Sequence, residues 1–133
     1  MSEPTVTIRL GGNGRAYCPG ETLSGEYRLE SIRREDVKAV EVSVLWHTEG
    51  KGDEDLAVHD FKRLSVEDGD WIDPRYPGRF RTVLPKCPLS YQGVIVKLRW
   101  CVRVRVFLAR DKEAVGELPF QLGDVPAVRV QKS

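Results

Sequence analysis

From Val94 onward every second residue is apolar: Val94, Val96, Leu98, Trp100, Val102, Val104, Val106 and Leu108 follow one another without a break. Alternate side chains of a strand point to opposite faces, whereas a helix repeats about every 3.6 residues, so this period predicts one long strand with a buried face. In a chain that is 41% apolar, eight such hits in a row arise by chance at about one starting point in a thousand. The other face reads Ile95, Lys97, Arg99, Cys101, Arg103, Arg105, Phe107 and is mostly polar.

The same alternation marks Val6, Ile8 and Leu10 as a first strand, and Leu23, Gly25, Tyr27 and Leu29 as a second. A third runs through Val40, Val42, Val44 and Trp46, and weaker patterns cover Leu56 to Arg63, Arg79 to Leu84 and Gly116 to Leu122. About seven strands are expected, a number typical of two-sheet sandwiches. Between them lie Gly11-Gly12-Asn13-Gly14, Pro19-Gly20, Gly50-Lys51-Gly52-Asp53, Asp73-Pro74, Pro77-Gly78, Pro85 to Pro88, and Gly116. Gly and Asn reach positive φ cheaply, and Pro fixes φ while removing a ladder donor, so these clusters end strands. Helix is expected only as a turn or two at Ser31 to Asp36 or Asp111 to Val115.

If successive strands run antiparallel, the loops 11 to 21, 48 to 55 and 85 to 93 share one end, and 30 to 36, 65 to 78 and 109 to 116 share the other. The longest irregular stretch, Glu67 to Gly78, lies at that second end and suits a binding loop. The tail, residues 123 to 133, is either a last edge strand through Val125, Val128 and Val130 or a loose terminus.

Several motifs then line up in order. Cys18-Pro19-Gly20-Glu21-Thr22-Leu23-Ser24-Gly25-Glu26-Tyr27 resembles the "P-G-E-x-x-x-G-x-V" opening of arrestin-like domains. Arg79-Phe80-Arg81-Thr82-Val83-Leu84-Pro85 resembles that family's strand into an "L-P" turn, and Cys87-Pro88-Leu89-Ser90-Tyr91-Gln92-Gly93 its "P-x-S-Y-x-G" entry to a long strand. The resemblance spans roughly Val6 to Leu122 and implies an all-β, immunoglobulin-like, two-sheet antiparallel β-sandwich, an arrestin-like lobe that works as a non-enzymatic adaptor. Arrestin-like proteins usually carry two lobes and this chain has length for one, so a cleft between lobes would require two chains to pair. A homodimer is therefore one expected arrangement.

Composition narrows the classes further. The 133 residues fit one domain, residues 1–133 with a core at about 5–122. With 21 Lys plus Arg against 20 Asp plus Glu, the formal net charge of +1 provides no global field for nucleic acid or an anionic membrane; any such contact would have to be a local patch, and no nucleic-acid partner is expected. No apolar run approaches the roughly 18 residues needed to span a bilayer, so stable membrane insertion is not expected and a cytoplasmic location is. Cys18, Cys87 and Cys101 are odd in number and follow no C-x-x-C spacing, which reads as free thiols in a reducing compartment.

The candidate chemistry is sparse. Lys97, Arg99, Arg103 and Arg105 form a basic stripe that would pair either with acids such as Glu26 and Glu41 across neighbouring strands or with an acidic or phosphorylated partner. Trp46 and Trp100 have core parity; Trp71 does not, and with Tyr76 it is the expected exposed anchor for a partner protein. An alternative use of Trp71, Tyr76 and loop 109 to 116 is a small-molecule or carbohydrate site. Glu49, Asp53, Glu54 and Asp55 lack calcium-loop spacing, His47 and His59 are only two ligands, and no phosphate loop or nucleophile elbow is present. No catalytic residue, cofactor or metal is expected, and the partner is expected to be another protein.

Overall fold

The computed structural model describes residues 3–11, 16–50, 54–93 and 96–123. Within them run β1 (Thr5–Leu10), β2 (Ala16–Tyr17), β3 (Thr22–Glu30), β4 (Val37–Gly50), β5 (Leu56–Ser65), β6 (Gly78–Val83), β7 (Tyr91–Gln92), β8 (Val96–Leu108) and β9 (Lys112–Leu122). They form two sheets, one ordered β1-β3-β6 and one ordered β2-β9-β8-β4-β5, with β7 beside the start of β8. The result is the two-sheet β-sandwich that the alternation predicts. Val94 and Ile95 of the long alternating run, Asp53, the loop residues 12–14 and the tail residues 124–133 lie outside the described residues.

β8 is the central strand. Val102, Val104 and Val106 are completely buried and Leu108 nearly so, facing the small sheet, while Arg99 and Arg105 are exposed on the other side. Antiparallel partners on β4 carry the same faces, since Val42 lies opposite Val104, Val44 opposite Val102 and Trp46 opposite Trp100. Trp100 is fully buried, donates its indole N–H to Pro88 O at 2.8 Å, and meets the Phe120 ring at 5.9 Å; Trp46 is half-buried against the same core. Cys101 and Leu45 are buried on the opposite face, outside that core. Burying side chains of this size is worth about 1.5–3 kcal/mol each, which is why an unbroken even face on β8 dominates the fold.

Two strands exceed expectation. β2 and β7 have two residues each, too short for any period to register, and lie inside segments read as loops. Two other readings change. Residues 112–115 belong to β9 rather than a helix, the helical turns being Arg34–Asp36 and Ala109–Asp111. Gly116, read as a turn, sits inside β9, where β1 crosses so closely that an added Cβ would meet Val6 O at 2.6 Å. By contrast, Pro19-Gly20 is a true turn: Glu21 N–H donates to Cys18 O at 3.0 Å, and Gly20 adopts φ +86°, as the third residue of a type II turn requires.

Edge strand β5 is less regular. Val44 faces Asp60 and Leu45 faces Val58, so His59 is the extra residue of a bulge. The bulge and the inward-facing charges of Asp60 and Lys62, opposite Val44 and Val42, discourage pairing of this edge with another chain.

Candidate functional site

The segment from Val66 to Pro77, between β5 and β6, is a built platform. Asp68 N–H and Asp70 N–H both donate to Ser65 O, at 3.1 and 3.0 Å, and Asp70 Oδ2 accepts from Ser65 N–H at 2.8 Å. Ile72 and Asp73 are then buried under the sandwich end. The Asp73 carboxylate accepts the Arg75 backbone N–H at 3.0 Å and the Arg75 guanidinium through Nε and Nη2, the latter at 2.7 Å. These hydrogen bonds from Arg75, side chain first and backbone second, hold the carboxyl down to about 2.

Anchored on both sides by this loop, Trp71 and Tyr76 point outward, 61% and 58% exposed, with ring centroids 6.0 Å apart and planes at 36°. Arg34, from the turn before β4, stacks over Trp71 at 5.6 Å, and Arg75 over Tyr76 at 5.7 Å. The unit is thus four side chains continuous in space: Arg34, Trp71, Tyr76 and Arg75. A shallow cleft of about 430 Å³ borders it, with Trp71 as one wall and Val37, Val66 and Ile72 among its lining. Exposed aromatic rings flanked by guanidiniums offer apolar area at low entropic cost together with fixed donors for carboxylates or backbone carbonyls.

The basic stripe on β8 is occupied differently. Arg99 bonds Glu49 at 3.1 Å, Arg105 bonds Glu113 at 2.8 Å, Arg103 pairs with Glu117, and Arg63 on β5 pairs with Glu41. Arg63 and Arg105 also flank Phe107, each 5.3 Å from its ring. Lys97 stands half-buried opposite Glu49. The outer face of the large sheet is therefore a lattice of arginines matched with acids on neighbouring strands.

The histidines separate. His47 Nε2 contacts Glu49 Oε2 at 3.0 Å, whereas His59 bonds Val83 O at 2.8 Å and sets its ring 6.0 Å from that of Trp100. No group of three or more His, Cys, Asp or Glu residues suited to a metal ion occurs among the described residues.

Sequence reasoning missed a second basic surface, on the outer face of the small sheet. Arg9, Glu26 and Arg79 lie in one row across β1, β3 and β6, Arg81 lies opposite Ser24, and Arg28 lies opposite Thr7. Glu26 contacts Arg28 at 3.9 Å, and among the described residues Arg9, Arg79 and Arg81 have no ion-pair partner. The signal was present as odd-position arginines flanking Phe80, but three strands had to be aligned to bring these residues together.

Comparison of the whole architecture with solved structures returns the sporulation control protein Spo0M from Bacillus subtilis, with a TM-score of 0.68 over 95% of this chain at 16% identity. The fold is an arrestin-like sandwich. The arrestin-like domain spans about half of that protein, covering 51% of its length. A superoxide reductase (neelaredoxin) from Ignicoccus hospitalis is also similar, with a TM-score of 0.54 and 9% identity over 90% of this chain and 80% of that one. No family model and no curated protein sequence matches the chain.

Proposed function

We propose that this arrestin-like domain is a non-enzymatic protein-interaction module of adaptor type, with the Trp71 and Tyr76 platform as its contact surface. One observation carries the reading: two large aromatic rings stand exposed, side by side, on a loop held by buried Asp73 rather than on a loose tip. Trp, Tyr and Arg are the residue types enriched among those that dominate binding energy, and Arg34 and Arg75 complete the set. The likeness to a sporulation control protein supports a regulatory setting. Free Cys18, Cys87 and Cys101 support a reducing, cytoplasmic location, and among the described residues no helix is long and apolar enough to cross a membrane.

Affinity capture from native extract tests this with wild type, Trp71→Ala and Tyr76→Ala, each checked for folding. The expected result is a specific partner retained by wild type and lost by both variants; a partner retained equally by all three would overturn the assignment of the surface. A second reading, favoured by the cleft beside Trp71, is a small-molecule or carbohydrate site. Quenching of Trp71 fluorescence by a glycan panel, absent in Trp71→Ala, would select it.

A further inference from the structure

We propose that the free edge of β6 is a docking edge for an extended protein segment in which acidic and apolar residues alternate. Three observations meet there. The first is backbone direction. Leu84 N–H donates to Glu21 O and Leu84 O accepts from Gly20 N–H, so even-numbered residues at this end of β6 bond toward β3. Odd-numbered residues then direct their N–H and C=O groups outward, and Val83 O shows it, since it accepts from His59 across the gap at 2.8 Å, a side-chain bond that a docked strand would replace. Arg79 and Arg81 share that parity, and among the described residues no strand pairs with this edge.

The second is a groove of about 650 Å³ between the sheets on the same flank, with Leu10, Val42, Val44 and Phe80 forming its apolar lining and Asp60 and Lys62 of β5 its charged far side. The third is charge: Arg79 and Arg81 are exposed on the outer face with Arg9 nearby in register, and Glu26, the carboxylate in their row, contacts Arg28 and forms no ion pair with them. This contrasts with the large sheet, where Arg63, Arg99, Arg103 and Arg105 each have one.

The pleat converts these facts into a ligand pattern. A strand laid beside β6 shares its faces, so residues opposite Arg79 and Arg81 lie on the outer face and those opposite Phe80 point into the groove. Carboxylates belong at the first set and apolar side chains at the second. Main-chain hydrogen bonds would supply affinity, and the alternating side chains specificity. The surface is separate from the Trp71 platform, so either can fail without the other.

The test uses a fluorescein-labelled peptide of alternating Glu and Val, a block peptide of the same composition, an alternating Lys and Val peptide, and a single-stranded DNA oligonucleotide. Anisotropy should show binding of the alternating acidic peptide alone, weakened about tenfold by Arg79→Glu with Arg81→Glu and unchanged by Arg103→Glu with Arg105→Glu. Val83→Pro removes an outward N–H without altering charge or a bond to β3, and should also weaken binding. Amide exchange of Arg79 and Arg81 should slow on binding. Equal binding of the block peptide or the oligonucleotide, no binding of the alternating peptide, or indifference to the Arg79 and Arg81 reversal in a folded variant would each overturn the proposal.

Discussion

Gly116 of β9 lies against the backbone of Val6 in β1, where a Cβ built on the glycine would stand 2.6 Å from the Val6 carbonyl oxygen and 3.0 Å from its Cβ. The obstacle is partly main chain, which cannot swing aside as a flexible side chain would. Gly116→Val should therefore force the two sheets apart and destabilise by about 1–3 kcal/mol, the usual range for overpacking. Urea denaturation checks this, with Val115→Ala, an exposed neighbour, as the control expected to change little.

The two faces of β8 should respond in opposite ways to an introduced carboxylate. Val104 is fully buried, and Val104→Asp would place a charge in the apolar core, so loss of cooperative folding is expected. Arg103→Glu sets two carboxylates side by side, since Arg103 pairs with Glu117, and should cost about 0.2–1 kcal/mol while the fold persists. Circular dichroism and thermal melting distinguish the outcomes.

Asp73 links the platform to pH. Its folded value, about 2, lies below the ordinary 3.8 because Arg75 hydrogen-bonds the ionised form. A depressed folded pKa contributes stability that is present above the ordinary value and is lost as pH falls from about 4 toward 2. The indole signal of Trp71 in NMR spectra should shift over that acid range in wild type. In Asp73→Asn it should be displaced at neutral pH and no longer follow this titration.

Thiol reactivity should divide two to one. Cys18 and Cys87 are exposed, whereas Cys101 is buried and its thiol is pushed up to about 11, mainly by burial and further by Glu117. Iodoacetamide at pH 8 should label two cysteines in the native protein and three in urea, as counted by mass spectrometry. Labelling of Cys101 at the native rate of the other two would contradict the packing of β8.

The sandwich was legible where burial imposes a period. Val102 to Leu108 and Val40 to Val44 alternate because one side of each strand meets the core, and Trp71 stood out as an aromatic without core parity in a polar loop. Short pairings such as Ala16 with Gln121 depend on a partner distant in sequence, so nothing local announces β2. Gly116 misled because a glycine required for close approach looks like a glycine required for a turn. The charges followed the same rule: the identity of Arg103 was visible, but its neutralisation depends on register with Glu117, and the set at Arg9, Arg79 and Arg81, without an ion pair among the described residues, appears only once β1, β3 and β6 are aligned.

One flank of the sandwich is closed, with β1 packed along β9, while the other carries the exposed edge of β6 and the bulged edge of β5. An open β-fibre needs each copy to offer two complementary edges, one for the copy before and one for the copy after. Among the described residues, β6 is the one edge of the small sheet not packed along a neighbouring strand. Two copies joined there edge to edge would use up that edge on both, which favours a closed pair over a growing fibre.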